Sequence, residues 1–447
     1  MDKRSFLRLF STTITGSVIR PLSMLAAQQR PTNWAGNIVY GTGRLHEAAS
    51  VEQTQSILRS ESRLKVQGTR HCFNTIADSR YNLLSLKAMR KIDLDADARE
   101  VTVEAGVTYG QLGPYLDSKG FALHNLASLP HISVAGACST ATHGSGEKNG
   151  NLASVVSALE MVTAAGDVVK LSRKLDGERF RAAVVGLGAL GVITQLTLDI
   201  QPAYMVRQYV YENLPLAQIR DHFDEIEASG YSVSFFTDWQ KQRINEVWIK
   251  SRIGSGQPFA APKEFFGATL ATRNLHPIAD ISVENCTEQL GVPGPWYDRL
   301  PHFRMGFTPS AGKELQSEYL LPRRHAVEAI LAVERLRDRV SPHLLISEIR
   351  TIEADDLWMS TCYRQPSVAI HFTWRQDWPE VRRLLPLIER ELSPYRPRPH
   401  WGKLFTMAPS ELRSRYEQFE NFVKLASEYD PKGKLRNTFL NTNVFAN

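Results

Sequence analysis

The stretch from Pro130 to Gly150 constrains the chain most, because it is dense in Gly, Ser, Thr and Ala and poor in bulky side chains. Residues this small let a backbone approach something closely, so the segment is built to run against a partner. A second feature lies upstream. Gly68-Thr69-Arg70-His71-Cys72-Phe73-Asn74 directly follows the apolar strand expected at residues 64–68. Successive backbone N–H groups in such a turn can cradle a diphosphate, with a histidine projecting at the end. Taken alone, the same residues also describe a capped turn with one buried histidine.

The chain has 447 residues, 43% of them hydrophobic, enough for about two or three domains. Its 53 Lys and Arg against 47 Asp and Glu are scattered rather than gathered into a run, which argues against a dedicated nucleic-acid binder. No run reaches the roughly 18 apolar residues of a membrane span. Cys72, Cys138, Cys286 and Cys362 form no CxxC pair, and the twelve histidines show no metal-spaced pair, so neither a disulfide scaffold nor a metal is expected. HExxH, GxSxG and Walker signatures are absent from the sequence.

At the N-terminus, Lys3 and Arg4 precede Ser5-Phe6-Leu7-Arg8, and a small, mildly apolar stretch follows to Gln28, interrupted by Arg20 and Pro21. Residues 1–30 resemble a twin-arginine signal with Lys first, which implies a periplasmic address. The alternative is an N-terminal extension on a cytoplasmic enzyme.

Further strands are expected at residues 101–105, 168–171 and 192–200, and a helix over 323–340. Pro202 and the new patterns after it suggest a boundary near residue 205, and Arg396-Pro-Arg-Pro399 a stiff connector. The last fifty residues are too few and too polar to fold alone. The expected domains are therefore 31–205, 206–398 and a C-terminal segment, 399–447, that packs back on the first. Gly186-Leu-Gly-Ala-Leu-Gly191 fits GxGxxG, but a helix precedes it and a strand follows, the reverse of a dinucleotide fingerprint. Tight backbone packing accounts for it better.

Strand side chains alternate, so Glu348 and Arg350 share one face of their strand, as do His371 and Thr373 of theirs, opposite Ile370, Phe372 and Trp374. Two such strands suit a sheet between a core and a cavity. An outer face carrying an ordinary salt bridge would read the same way.

The loop at Gly68 and the stretch from Ser128 to Gly146 together resemble the flavin domain of the vanillyl-alcohol oxidase superfamily, and within it the alditol oxidase and xylitol oxidase family. The resemblance runs from about Asn33 to Phe445 and includes Asn285-Cys-Thr-Glu-Gln, Gly294-Pro-Trp, Glu348-Ile-Arg350, His371-Phe-Thr373 and His400-Trp-Gly-Lys403. It implies an α+β, two-domain vanillyl-alcohol oxidase type fold. An FAD-binding domain is made by the N-terminal part plus the C-terminal tail, and an inserted substrate-binding domain caps the flavin.

By that resemblance His71 aligns with the histidine that carries FAD covalently. Gln67, Gly68, Thr69, Arg70 and Cys72, with Ser133, Gly136, Thr140, Ala141, Thr142 and His143, would cradle the diphosphate, while Val192, Ile193, Ser128 and His400 lie along the cofactor. Cys72 stands where the family has Ser, which removes one hydroxyl contact. Ser128, Glu348, Arg350, His371, Thr373 and Lys403 align with polyol-binding residues, a rigid polar array of the kind a row of hydroxyls requires. Lys403 and Arg350 would stabilise a developing alkoxide, and Glu348 would position substrate. No residue stands out as general base.

The activity implied is oxidation of the terminal CH–OH of an alditol such as xylitol or sorbitol, giving an aldose and hydrogen peroxide. Ala127 aligns near the flavin edge where the family admits oxygen. The partners implied are a small polyol and oxygen, with no nucleic acid and a monomeric protein. The nearest rivals are an aldonolactone oxidase or a polyol dehydrogenase using another acceptor. A non-enzymatic flavin-fold protein binding sugar or nucleic acid is the alternative of another class.

Overall fold

Alternation decides the first sheet. Along Val192–Asp199, residues Val192, Thr194, Leu196 and Leu198 are buried and the residues between them half-buried, the signature of a strand with one face on a core. In the computed structural model, which describes residues 30–254, 259–306 and 314–446, this strand is central in an antiparallel sheet of five. The order is Ile92–Asp95, Glu100–Glu104, Val192–Asp199, Val156–Val162, Val168–Ser172. A three-stranded parallel sheet of Leu45–Glu47, Leu83–Ser85 and Lys65–Gln67 stands beside it and delivers the Gly68 loop. Apart from Arg30, the signal-like segment lies outside the described residues.

The C-terminal helices Pro409–Arg415, Phe419–Tyr429 and Thr438–Asn443 bury Leu412, Phe422 and Leu440 in the same core as Val101, Val103 and Leu196. The side chain of Asn437 donates to the carbonyls of Thr75, Ile76 and Asp78, tying the tail to the loop after His71.

Between these pieces the chain builds a ten-stranded sheet. Its middle runs Ser232–Thr237, Leu344–Ile352, Ser367–Arg375, Glu314–Pro322, all antiparallel. Ile349, Ile370, Phe372 and Tyr319 point to one side, where helices Leu216–Glu227, Ala326–Glu334 and Trp378–Leu392 cover them. Phe372 stacks on Trp374 with ring centroids 5.1 Å apart, and truncating a buried ring of this kind costs about 3–5 kcal/mol. The opposite face carries the polar residues. It is buried too, because the flavin-side loops lie over it.

The helix expected over 323–340 is interrupted: a 3-10 turn at Arg323–His325, then Ala326–Glu334 and Arg337–Val340, with Leu336 at φ −91°, ψ 3°. Burial of Ile330 and Val333 fixes the first piece, while the charged Arg-Leu-Arg-Asp stretch supplies no continuing apolar stripe. Among the described residues no helix is long and apolar enough to cross a membrane.

Candidate active site

A cavity of about 600 Å³ runs from the Gly68 loop to the polar face of the large sheet. Gln67, Gly68, Thr69, Arg70, His71, Cys72, Ser128, Ser133, Gly136, Thr140, Thr142, His143, Ile193 and His400 all line it. Val192, expected along the cofactor, and Ala141, expected in the diphosphate cradle, do not. Val192 and Ile193 are neighbours in one strand, so their side chains leave opposite faces, and Val192 packs with Leu84 and Val162 instead. Ala141 is fully buried at φ 53°, where it turns the backbone rather than presenting a side chain.

The walls fit a dinucleotide. A Cβ on Gly68 would lie 2.5 Å from Ser133 Oγ, so the loop comes this close to the helix Val134–Ser139 because the position is glycine, and one on Gly136 would lie 2.8 Å from the same hydroxyl within its own segment. Among the described residues the amides of Thr69 to Cys72 donate to no backbone carbonyl, and Arg70 at φ 63° bends them into a concave nest of donors. The Gly186–Gly191 segment joins this wall through Leu187, Gly188 and Gly191. Lys65 holds it: its Nζ donates to the carbonyls of Leu187 and Gly188 at 3.1 and 3.0 Å. Burial brings that ammonium's pKa down to about 7. The sequence reads this segment as tight backbone packing, and a Cβ on Gly191 would indeed lie 3.0 Å from Met161 Sδ, but the segment also faces the cavity. At Cys72, burial pushes the thiol up to about 11, so it remains neutral, with Tyr40 as its neighbour at 3.8 Å.

His71 sits in an aromatic nest. Trp34 lies with its ring centroid 4.4 Å away, and His131 Nε2 is 3.2 Å from His71 Nδ1. Burial, then the neighbouring His131, holds the His71 imidazole well below its ordinary pKa, leaving it neutral.

The register explains the polar face. Glu348 pairs with His371, and His371 with Glu318, forming one row across three strands; Thr373 pairs with Ile346 and Gln316 in the next. Glu318 is 1% exposed and lies at the centre. Its carboxylate accepts from Arg350 Nη2 at 2.7 Å and Lys403 Nζ at 2.8 Å, with His143 Nε2 3.4 Å away. Glu348 accepts from His302 Nε2 at 2.8 Å and has Arg350 Nε at 3.5 Å. Arg350 Nη1 reaches Ser128 Oγ at 3.4 Å, and His371 Nε2 lies 3.2 Å from Gln316 Oε1.

Burial opposes both carboxylate charges. Lys403, His143 and Arg350 outweigh it at Glu318, and Arg350 and His302 outweigh it at Glu348, so both stay ionised well below the usual carboxylate range. Burial lowers Lys403, opposed chiefly by Glu318. Burial, then Lys403, brings His371 to about 3, a neutral ring. The site is thus two cations, Arg350 buried and Lys403 partly so, balanced by two buried carboxylates, with the neutral His371 between the carboxylates in the row.

Ser128, Glu348, Arg350, His371, Thr373 and Lys403 all reach this cavity. Glu318, Gln316 and His302 were missed from sequence. For the first two the signal existed, since Glu314, Gln316 and Glu318 alternate in their strand as Glu348 and Arg350 do in theirs. His302 is in a loop, where no periodicity marks it.

A concave turn of backbone amides, a glycine-lined cavity and a charged pocket at its far end suit a flavin-dependent oxidoreductase of the two-domain vanillyl-alcohol oxidase type, and the comparisons with known proteins agree. The fold is shared with cholesterol oxidase from B. sterolicum, at TM-score 0.74 over 93% of this chain and 97% of that one, with 13% identity. The FAD binding domain family matches residues 44–172, and the D-arabinono-1,4-lactone oxidase family matches 309–443. An alditol oxidase of Streptomyces sp. is 47% identical over 92% of this chain and 97% of its own. The chain belongs to the alditol oxidase family of FAD-linked oxidases. L-gulono-1,4-lactone dehydrogenase of Mycobacterium tuberculosis is more distant, 26% identical over 90% of this chain and 95% of that protein.

Proposed function

We propose that this enzyme oxidises the primary CH–OH of an alditol such as xylitol or sorbitol to the aldose and passes the electrons to oxygen as hydrogen peroxide. The observation that carries the reading is the charge-balanced array of Arg350, Glu318 and Glu348 on a buried sheet face, with Lys403 reaching in from the loop after Pro399. A polyol needs such an array, because each hydroxyl both donates and accepts. FAD, when bound, accepts the hydride. Lys403 and Arg350 place positive charge where the alkoxide develops, and being fixed beforehand they cost no reorganisation. Glu348, ionised and unable to donate, orients substrate hydroxyls by accepting from them. Ser128, His371 and Thr373 hold the remaining hydroxyls.

His71, neutral and half-buried, is the attachment point for FAD in this reading. Ala127, small and beside Ser128 on the cavity wall, leaves a path for oxygen. The enzyme acts as a monomer. Steady-state peroxide formation on a panel of alditols and aldonolactones tests the proposal. Higher kcat/KM on alditols is expected; turnover confined to lactones would replace it with an aldonolactone oxidase.

A further inference from the structure

Asn74 ends the loop that carries His71 and is 9% exposed, outside the lining of the cavity. Its side chain is fully engaged. Oδ1 accepts from the amide of Ile76 at 3.0 Å, capping the 3-10 turn Thr75–Ala77, while Nδ2 donates to the carbonyls of Trp401 and Lys403 at 2.8 and 2.6 Å. The carboxamide can face only this way, because reversing it would set its oxygen against two carbonyls and its NH2 against an N–H.

The neighbouring residue completes the pattern. The amide of Phe73 donates to the carbonyl of Gly402 at 2.7 Å, so the three successive carbonyls of Trp401, Gly402 and Lys403 are met by two successive residues of the His71 loop. On its other side the same segment is fastened to the large sheet: the amide of His400 donates to the Glu318 carbonyl at 3.0 Å, and that of Leu404 to the Gln316 carbonyl at 2.8 Å. Between these two anchors the main chain of residues 401–403 rests on Phe73 and Asn74. Lys403 then sends its Nζ back to Glu318 at 2.8 Å. The His71 loop is itself held from behind, since the Trp34 amide donates to the Arg70 carbonyl at 2.9 Å and Asn33 Nδ2 to the Cys72 carbonyl at 2.8 Å. One side chain and one amide therefore set the distance between the flavin-side loop and the backbone of the cation that reaches the site.

We propose that Asn74 is a positioning residue: it fixes the backbone of Lys403 against the His71 loop and so presets where the Lys403 ammonium meets the reacting substrate. The inference rests on the alditol reading, in which Lys403 bears on the developing alkoxide, and adds the residue that preorganises it. Placement matters at this scale, because an error of about 1 Å in a reacting group costs on the order of a hundredfold in rate.

The test uses the FAD-loaded full chain with N74S and N74D. Both keep an oxygen to cap the Ile76 amide, and neither can donate to the two carbonyls. Hydrogen–deuterium exchange should quicken by about tenfold in the peptide covering residues 400–405, the scale of one lost hydrogen bond, and stay unchanged over residues 316–320. Anaerobic flavin reduction by xylitol should slow about ten- to a hundredfold. In a K403M background the same substitutions should change flavin reduction by less than about twofold, because the group through which Asn74 acts has gone. Equal slowing in the two backgrounds would overturn the proposal, as would unchanged exchange over 400–405 or a rate within about twofold of the parent. Loss of FAD from both variants would make Asn74 a residue of the fold and also overturn it. If no alditol bleaches the parent flavin, the alditol reading fails instead, and the exchange result alone decides whether Asn74 holds the Lys403 backbone.

Discussion

Glu318→Gln removes one charge and almost no volume from the centre of the site. At 2.7 Å from Arg350 and 2.8 Å from Lys403, each pair attraction is about 6 kcal/mol at an effective dielectric of about 20. Desolvation offsets much of this, and breaking a buried pair from one side costs about 3–5 kcal/mol net. Stability in urea should therefore fall by about 3–5 kcal/mol relative to the parent. The rate should respond as well. Burial already lowers Lys403, and Glu318 is the chief group that opposes it. Without that carboxylate Lys403 titrates lower still and loses its proton nearer neutral pH. Flavin reduction by xylitol, followed anaerobically, should then drop by about a hundred- to a thousandfold above that lowered pKa, as for loss of a preorganised charge. It should recover as the pH falls and the ammonium returns. An unfolding free energy within about 1 kcal/mol of the parent, together with an unshifted pH profile, would refute the reasoning.

Lys403→Met keeps the length of the side chain and removes the charge; flavin reduction should slow by about a hundred- to a thousandfold with FAD content little changed, with no pH at which it recovers. His71→Ala should release all its flavin on acid precipitation, whereas flavin kept in the pellet would place the covalent link elsewhere. Glu227, fully buried with Thr351 as its donor, is raised by burial from 4.5 to about 8. The native state therefore holds an extra proton between those values, and this residue's contribution to stability falls as pH rises through the window. Glu227→Gln should abolish that slope, so its melting temperature gains on the parent's from pH 5 to pH 8; a constant difference would show that Glu227 does not titrate there.

Much of the site could be read from the chain because strands repeat every two residues. Glu348 with Arg350 and His371 with Thr373 announce a polar face whatever lies opposite. Glu318 obeys the same rule but stands beside Ser317 and before an apolar run, so its strand reads as mixed. Its importance comes from register, which sets it opposite His371, and register depends on turns a sequence does not specify. The Val192 side chain lies off the cavity for the converse reason. A resemblance transferred two neighbouring residues to the cofactor, although one strand cannot turn both side chains the same way. His302 was invisible because it is placed by Lys250, some fifty residues earlier in the chain, through contacts to backbone carbonyls that no side-chain pattern records. The Gly186–Gly191 segment follows the helix Arg173–Val184 and precedes the strand Val192–Asp199, the reverse of a dinucleotide fingerprint, as its sequence context indicates. Its part in the cavity wall depends on Lys65, which lies 122 residues from Leu187 in sequence.

The central claim is that the buried cation–carboxylate array serves hydride removal from an alditol to FAD, with oxygen as the final acceptor. Anaerobic stopped-flow mixing of the purified holoenzyme with xylitol, followed by admission of air-saturated buffer, tests it most directly. The account predicts rapid loss of the oxidised flavin band, then its rapid return with peroxide equivalent to the flavin reoxidised. A band that no alditol bleaches, or one that returns only when a quinone or cytochrome is added, would contradict it.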